Sequence, residues 1–132
     1  MKTRHVLVID DEPDVTAYLS TALGDKGWRV SVANSADEGL ELARRDVPDA
    51  ILLDVMMPER GGMSTLVALR RDPVLNGVPV VLVTGIQDQL NRDFEDYLGR
   101  FRHVQPDGYV EKPIDLCLLL ELLDELTIVA AI

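Results

Sequence analysis

Three short, continuously apolar segments constrain the fold of this chain most strongly, because each stops at a polar or charged side chain. These segments are Val6–Ile9 before Asp10, Ala50–Leu53 before Asp54, and Val78–Val83 before Thr84. Apolar runs of this length, closed by charged, Pro or Gly residues, are typical of parallel strands buried on both faces. Parallel strands need long crossover connections, so the runs favour an α/β architecture.

Helical patterns and two weaker strands occupy the intervening segments. Ser35 and Glu38 have the spacing of a capping box and predict a helix that runs to about Arg45. The other helices are predicted from Pro13 to about Leu23, Met63 to Arg71, Asp88 to about Phe101, and Leu116 to about Leu126, the last capped by Asp115. The weaker strands are Trp28–Ala33, nearer the sheet edge, and Gly108–Glu111.

Strand and helix therefore alternate five times along one domain. Right-handed crossovers between parallel strands place helices on both faces of the sheet. We expect a doubly wound, five-stranded parallel α/β sheet with helices on both faces. We expect residues 1–132 to form a single domain with a core of about 4–126, and residues 127–132 to form a C-terminal tail, such as a frayed helix turn, or the start of a missing linker.

The composition limits which binding partners and which cellular compartment we expect. The net charge of −10 argues against direct nucleic-acid binding; it suits a basic partner or a bound cation, or simply solubility. No apolar run has membrane-spanning length, and the polar segment Met1–His5 leads into no signal-peptide core, so we expect a cytoplasmic protein. Cys117 is the single cysteine and is interpreted as a small core residue.

The residues that follow the strands predict a site. Asp10, Asp11, Asp54, Thr84 and Lys112 each follow or end a strand, and parallel strands share one C-terminal edge. Like charges about 4 Å apart repel by about 4 kcal/mol at an effective dielectric constant near 20. Such a cluster needs a cation, and oxygen-only ligands indicate Mg²⁺.

These motifs occur jointly and in a fixed order. An acidic pair (Asp10, Asp11) follows the first strand, and an Asp-x-x-Met-Pro-x-x-x-Gly motif begins at Asp54. Thr84 and the Lys112-Pro113 pair end the fourth and fifth strands. Over residues 4 to 126 the chain resembles the CheY-like receiver domains of two-component response regulators. The resemblance implies a flavodoxin-like fold with strand order 2-1-3-4-5.

The resemblance also implies a role for each acidic residue. Asp54 is similar to the phosphoacceptor of these domains. Asp11 and Asp54 are expected to bind Mg²⁺ directly, together with the Met56 carbonyl oxygen, while Asp10 holds the ion through water.

Three further residues resemble the switch elements of the family. Thr84 is similar to the hydroxyl that moves toward the phosphoryl group, and Lys112 to the ammonium that pairs with Asp54 before phosphorylation. Tyr109 is similar to the aromatic residue whose rotamer reports the state. The Lys112–Pro113 peptide bond is expected to be cis.

The function implied by the resemblance is phosphorelay signalling rather than enzymatic turnover. A sensor histidine kinase or a phosphotransfer protein donates the phosphoryl group, and small phosphodonors support self-phosphorylation at most. Phosphorylation then changes the face formed by the fourth predicted helix, the fifth strand and the fifth predicted helix. That face binds a downstream protein, a fused output domain or a second copy of the chain, without contacting nucleic acid or membrane directly.

Two alternatives come from other functional classes. A phosphohydrolase with an Asp nucleophile usually carries an Asp-x-Asp pattern after its first strand, whereas this chain has Asp10-Asp11-Glu12. A pseudo-receiver binds partners without taking up phosphate, and loss of Mg²⁺ binding favours it.

Two departures from the family pattern concern kinetics and partner choice. Met56 and Ile86 are apolar where the family controls water access to the acyl phosphate, so we expect slow dephosphorylation. The segment between Thr84 and Lys112 is several residues longer than usual, with the extra length around Asp93 to Pro106.

Overall fold

The computed structural model describes residues 3–55, 62–85 and 104–131. Five strands lie in this part: β1 (His5–Ile9), β2 (Arg29–Ala33), β3 (Ala50–Asp54), β4 (Val80–Thr84) and β5 (Gly108–Glu111). It also contains four helices: α1 (Pro13–Asp25), α2 (Ala36–Arg45), α3 (Gly62–Arg71) and α4 (Leu116–Ala131). The helix predicted over Asp88–Phe101 lies outside the described residues, so α4 is the fifth helix of the sequence prediction.

The strands form one parallel sheet in the order β2-β1-β3-β4-β5, which confirms the predicted fold. Ile9 pairs with Leu53, Asp54 with Val83, and Thr84 with Glu111. This register sets the C-terminal ends of β1, β3, β4 and β5 side by side along one edge.

Burial on both faces explains why the central strands are continuously apolar. Within β1, Leu7 and Ile9 belong to the core under α2 and α3, whereas Val6 and Val8 belong to the core under α1 and α4. All five residues of β1 are buried, because alternate side chains of a strand enter opposite faces.

Local capping signals fix where two helices begin. At α2 the Glu38 amide donates to Ser35 Oγ at 3.2 Å, and the Asn34 amide donates to Glu38 Oε2 at 3.4 Å. At α4 the Leu118 amide donates to Asp115 Oδ1 at 3.2 Å. Both side chains satisfy amides that a helix N-terminus leaves without partners, as the sequence predicted.

Helix α4 differs from the prediction at its end. The helix continues past Leu126 to Ala131. Thr127 is buried, and its hydroxyl donates to the Leu123 carbonyl at 2.7 Å. Arg4, which directly precedes β1, donates to Asp124 at 2.6 Å and to Thr127 Oγ1 at 3.1 Å. These tertiary contacts stabilise helical turns of α4 that local propensity does not predict.

The prediction that Cys117 is a core residue was wrong, because Cys117 is exposed. The buried stripe of α4 contains Leu119 and Leu123. Residues that are two positions apart in a helix differ by about 200° in direction around its axis. Cys117 lies two positions before Leu119 and therefore points away from that stripe.

Within residues 3–55, 62–85 and 104–131, no helix combines the length and apolarity that crossing a lipid bilayer requires.

At Gly39, α2 lies in close contact with the sheet. A Cβ atom at this position would lie 2.5 Å from Ile9 Cδ1 and 2.8 Å from Ile9 Cγ1. Ile9 is fully buried at the end of β1, so its side chain has little room to shift. Gly24, in α1, has no atom within 4 Å of such a Cβ.

We predict that Gly39→Ala lowers the free energy of unfolding by about 1 kcal/mol. Overpacking costs about 1–3 kcal/mol and outweighs the gain of about 1 kcal/mol in helix propensity. The matched control Gly24→Ala should leave stability unchanged or raise it by less than about 1 kcal/mol. Urea unfolding of the three proteins measures both effects, and a Gly39→Ala variant as stable as Gly24→Ala contradicts the packing argument.

Candidate functional site at the C-terminal edge of the sheet

Two buried carboxylates lie at the centre of this edge. Asp54 is the last residue of β3 and is 1% exposed, and Asp10 directly follows β1 and is 2% exposed. The Asp10 amide donates to the Ala33 carbonyl at 3.1 Å, which extends the β1–β2 pairing by one residue. The sheet backbone therefore fixes both side chains, although carboxylates are seldom buried.

A third carboxylate, that of Glu12, completes an acidic cluster. Asp10 Oδ1 accepts a hydrogen bond from the Glu12 amide at 2.9 Å, which bends the chain from β1 into α1. One ligand atom each from Asp10, Glu12 and Asp54 lies within 4.8 Å of the other two. Asp11 is half-buried and does not belong to this group, so its role as a direct ligand stays a prediction.

The Lys112 ammonium lies between these carboxylates. Its Nζ is 3.2 Å from Glu12 Oε1, 3.4 Å from Asp10 Oδ2 and 3.7 Å from Asp54 Oδ2. The Lys112 amide donates to the Thr84 carbonyl at 2.7 Å, so pairing with β4 holds the backbone of this residue at the edge. The Lys112–Pro113 peptide bond is cis, as predicted.

Among the described residues, three carboxylates surround one ammonium at this edge. Partial burial by itself lowers the pKa of Lys112, but the charges of Asp54, Asp10 and Glu12 outweigh burial and raise this pKa above its ordinary value. Lys112 is therefore protonated at neutral pH, yet a single positive charge does not offset the cluster. A second cation would relieve the remaining repulsion.

The two other predicted switch residues lie on neighbouring strands. Thr84 ends β4 and is half-buried. Tyr109 on β5 is 44% exposed, while the adjacent Val110 is buried in the core under α1 and α4. Desolvation of the phenol raises the pKa of Tyr109. The rotamer switch of Tyr109 stays a prediction.

The donor set of the cluster fits a hard divalent cation. Carboxylate oxygens are the ligands that Mg²⁺ and Ca²⁺ prefer, and the cluster supplies three such groups. In the part of the chain that the structure describes, this is the one group of three acidic, His or Cys side chains close enough to hold an ion. Met56, whose carbonyl was predicted as a ligand, lies outside the described residues, as does Ile86.

Comparison with known proteins identifies the family to which this edge belongs. Residues 6–124 match the family model of the response regulator receiver domain. The chain belongs to this family. It is therefore a receiver domain of two-component signal transduction, a class of signalling domain in which phosphorylation on Asp is typical.

Individual relatives agree with this assignment. The chain is 36% identical over 111 residues to the probable transcriptional regulatory protein TcrX of Mycobacterium tuberculosis, a match that covers 84% of this chain and 44% of TcrX. It is 31% identical over 121 residues to protein Rrf1 of Nitratidesulfovibrio vulgaris, covering 90% of this chain and 79% of Rrf1. The chain thus spans less than half the length of TcrX and most of the length of Rrf1.

A solved structure shows the same fold. The signal receiver domain of a signal transduction histidine kinase from Syntrophus aciditrophicus superposes with a TM-score of 0.82 at 26% sequence identity. The match covers 95% of this receiver domain and 90% of that chain.

Sequence reasoning missed the position of Glu12. The run Asp10-Asp11-Glu12 gave a signal, because a third acidic residue precedes Pro13 at the start of a helix. The hydrogen bond from the Glu12 amide to Asp10 turns the chain there and places Glu12 at the cluster, and spacing alone does not predict that turn.

We predict that Asp54→Asn raises the free energy of unfolding of the receiver domain by about 1–2 kcal/mol in metal-free buffer. The substitution removes a buried charge and its repulsion from Asp10, and these outweigh the lost attraction to Lys112. Chemical denaturation with and without Mg²⁺ measures the effect, and Mg²⁺ should stabilise the wild type more than the variant.

Asp25→Asn is the matched control, because Asp25 is exposed at the end of α1, at the opposite edge of the sheet. Its effect should stay within about 0.5 kcal/mol. Destabilisation by Asp54→Asn in metal-free buffer contradicts the view that this edge is electrostatically strained.

Proposed function

We propose that this receiver domain takes a phosphoryl group on Asp54 in the presence of Mg²⁺, and that a sensor histidine kinase or a phosphotransfer protein donates it. The observation that supports this proposal most strongly is the position of Asp54. Its buried carboxylate ends a central strand, 3.7 Å from the Lys112 ammonium and within 4.8 Å of two further carboxylates.

The chemistry is nucleophilic substitution at phosphorus. An Asp54 carboxylate oxygen forms a bond to the phosphorus of the donor phosphohistidine while the bond from that phosphorus to the imidazole nitrogen breaks. The electron pair of the broken bond leaves with the imidazole, and the product is an acyl phosphate. Mg²⁺, when bound, supplies charge that neutralises the phosphoryl oxygens.

The chain's own residues divide the remaining tasks. Asp10, Asp11, Asp54 and the Met56 carbonyl would hold the ion, with Asp10 acting through water. Lys112 offers its ammonium to a phosphoryl oxygen, and the Thr84 hydroxyl offers a hydrogen bond to another.

The output is a change in partner binding. Movement of Thr84 toward the phosphoryl group opens space for the Tyr109 ring, which now lies 44% exposed on β5. The surface of the fourth predicted helix, β5 and α4 then differs between the two states, and only a partner that distinguishes these states transmits the signal. The partner is a downstream protein, a fused output domain or a second copy of the chain.

The fused-output form of this proposal has support from the relatives. TcrX is described as a probable transcriptional regulatory protein and is more than twice the length of its match to this chain. The net charge of −10 disfavours direct contact between this domain and nucleic acid, so DNA binding would belong to a separate output domain. We place the domain in the cytoplasm, where histidine kinases expose their phosphohistidine.

Intact-mass spectrometry after incubation with acetyl phosphate and Mg²⁺ tests the proposal. We predict one phosphoryl adduct on the wild type and none on Asp54→Asn or on wild type treated with a chelator. Asp25→Asn, which removes an exposed carboxylate far from the site, should form the adduct as the wild type does.

A folded wild type that forms no adduct under any of these conditions contradicts the proposal and favours a pseudo-receiver. When the adduct forms, its decay after removal of the donor measures dephosphorylation. Apolar Met56 and Ile86 predict slow decay, and a lifetime of only seconds contradicts that part.

A further inference from the structure

The position of the Lys112 ammonium is unexpected for an ion pair with buried partners. Its shortest distance, 3.2 Å, is to Glu12, whose side chain is 60% exposed. The distances to the nearly fully buried carboxylates of Asp10 and Asp54 are longer, at 3.4 and 3.7 Å. Attraction between charges is stronger where water is excluded, so the two buried carboxylates alone would draw the ammonium inward.

A hydrogen bond to Glu12 opposes this inward attraction. Lys112 Nζ donates to Glu12 Oε1, and the Glu12 backbone is itself fixed by the hydrogen bond from its amide to Asp10 Oδ1 at 2.9 Å. Glu12 also directly precedes α1, whose first residue is Pro13. The carboxylate therefore extends from a well-fixed stretch of backbone at the outer side of the cluster.

The inward position matters because it is where a divalent cation would bind. Asp54 is a proposed direct ligand and Asp10 is proposed to hold the ion through water, and an ammonium in close contact with their carboxylates competes with the ion for the same oxygens. Two cations that share two carboxylates repel each other, so a small displacement of Lys112 changes the affinity for the ion.

We propose that Glu12 is a positioning residue that holds the Lys112 ammonium at the outer side of the acidic cluster and so leaves Asp10 and Asp54 accessible to a divalent cation. This inference rests on the proposed cation-binding role of the site. Glu12 acts on the ion through Lys112, rather than as a ligand of its own.

Calorimetric titration with Mg²⁺ tests the coupling. We expect Glu12→Gln to raise the dissociation constant for Mg²⁺ by about fivefold, since the released ammonium moves inward. Lys112→Met should lower this constant. In the Lys112→Met background, Glu12→Gln should change it no more than Asp14→Asn does, because no ammonium remains to be positioned.

Asp14→Asn is the matched control for net charge, because Asp14 is an exposed carboxylate in the first turn of α1, two residues from Glu12. An equal effect of Glu12→Gln with and without Lys112 overturns the proposal and makes Glu12 a direct ligand. An effect no larger than that of Asp14→Asn in the wild-type background also overturns it.

A measurement without any cation separates this inference from the proposed function. The chain has three lysines, Lys2, Lys26 and Lys112, so the Cε–Hε signals of ¹³C-labelled lysine are few enough to assign. In metal-free buffer, Glu12→Gln should shift the Lys112 signal and leave those of Lys2 and Lys26 unchanged. An unchanged Lys112 signal refutes the positioning role, whereas absence of Mg²⁺ binding by the wild type refutes only the proposed cation site.

Discussion

Repulsion among carboxylates at one edge of the sheet is the constraint on which the site depends. Asp10, Glu12 and Asp54 bring ligand atoms within 4.8 Å of one another, and the Lys112 ammonium is the cation that contacts all three. Among the residues that the structure describes, this one ammonium offsets only part of the repulsion between the three carboxylates. In our proposal a divalent cation supplies further positive charge, and the same ion neutralises the negative charge that a phosphoryl group adds.

The sheet can hold this strained edge because its interior is continuous and apolar. The buried apolar residues of β1, β3 and β4 belong to two cores, one on each face, and both lie below the polar strand ends. Close packing such as that of Gly39 against Ile9 fixes the helices to the sheet and leaves little freedom at its centre. Backbone pairing then sets Asp54 beside Val83, and Thr84 beside Glu111, in one register. Favourable packing in the interior thus compensates the unfavourable charge repulsion at the edge.

The sequence was sufficient to predict the fold and the place of Asp10, Asp54, Thr84 and Lys112 at the C-terminal strand ends, because both follow from strong local signals. Buried parallel strands require unbroken apolar runs, and the capping pattern of Ser35 and Glu38 fixed the start of α2. The extension of α4 to Ala131 was not predictable, since it depends on contacts of Arg4 with Asp124 and Thr127 across the whole length of the chain. The position of Glu12 was missed for a similar reason, because the tertiary contact with Lys112 determines its role. Cys117 was misplaced because its small apolar side chain favours a core position, whereas its helical spacing from Leu119 and Leu123 turns it outward.

The central claim is that phosphoryl transfer occurs at Asp54 and not at another carboxylate of the same cluster. Borohydride reduces an aspartyl phosphate to homoserine, which marks the modified residue permanently. Wild-type protein treated with acetyl phosphate and Mg²⁺, reduced and digested, should yield homoserine at position 54 by peptide sequencing in the mass spectrometer. Homoserine at Asp10 or Asp11, with Asp54 unchanged, would contradict the account.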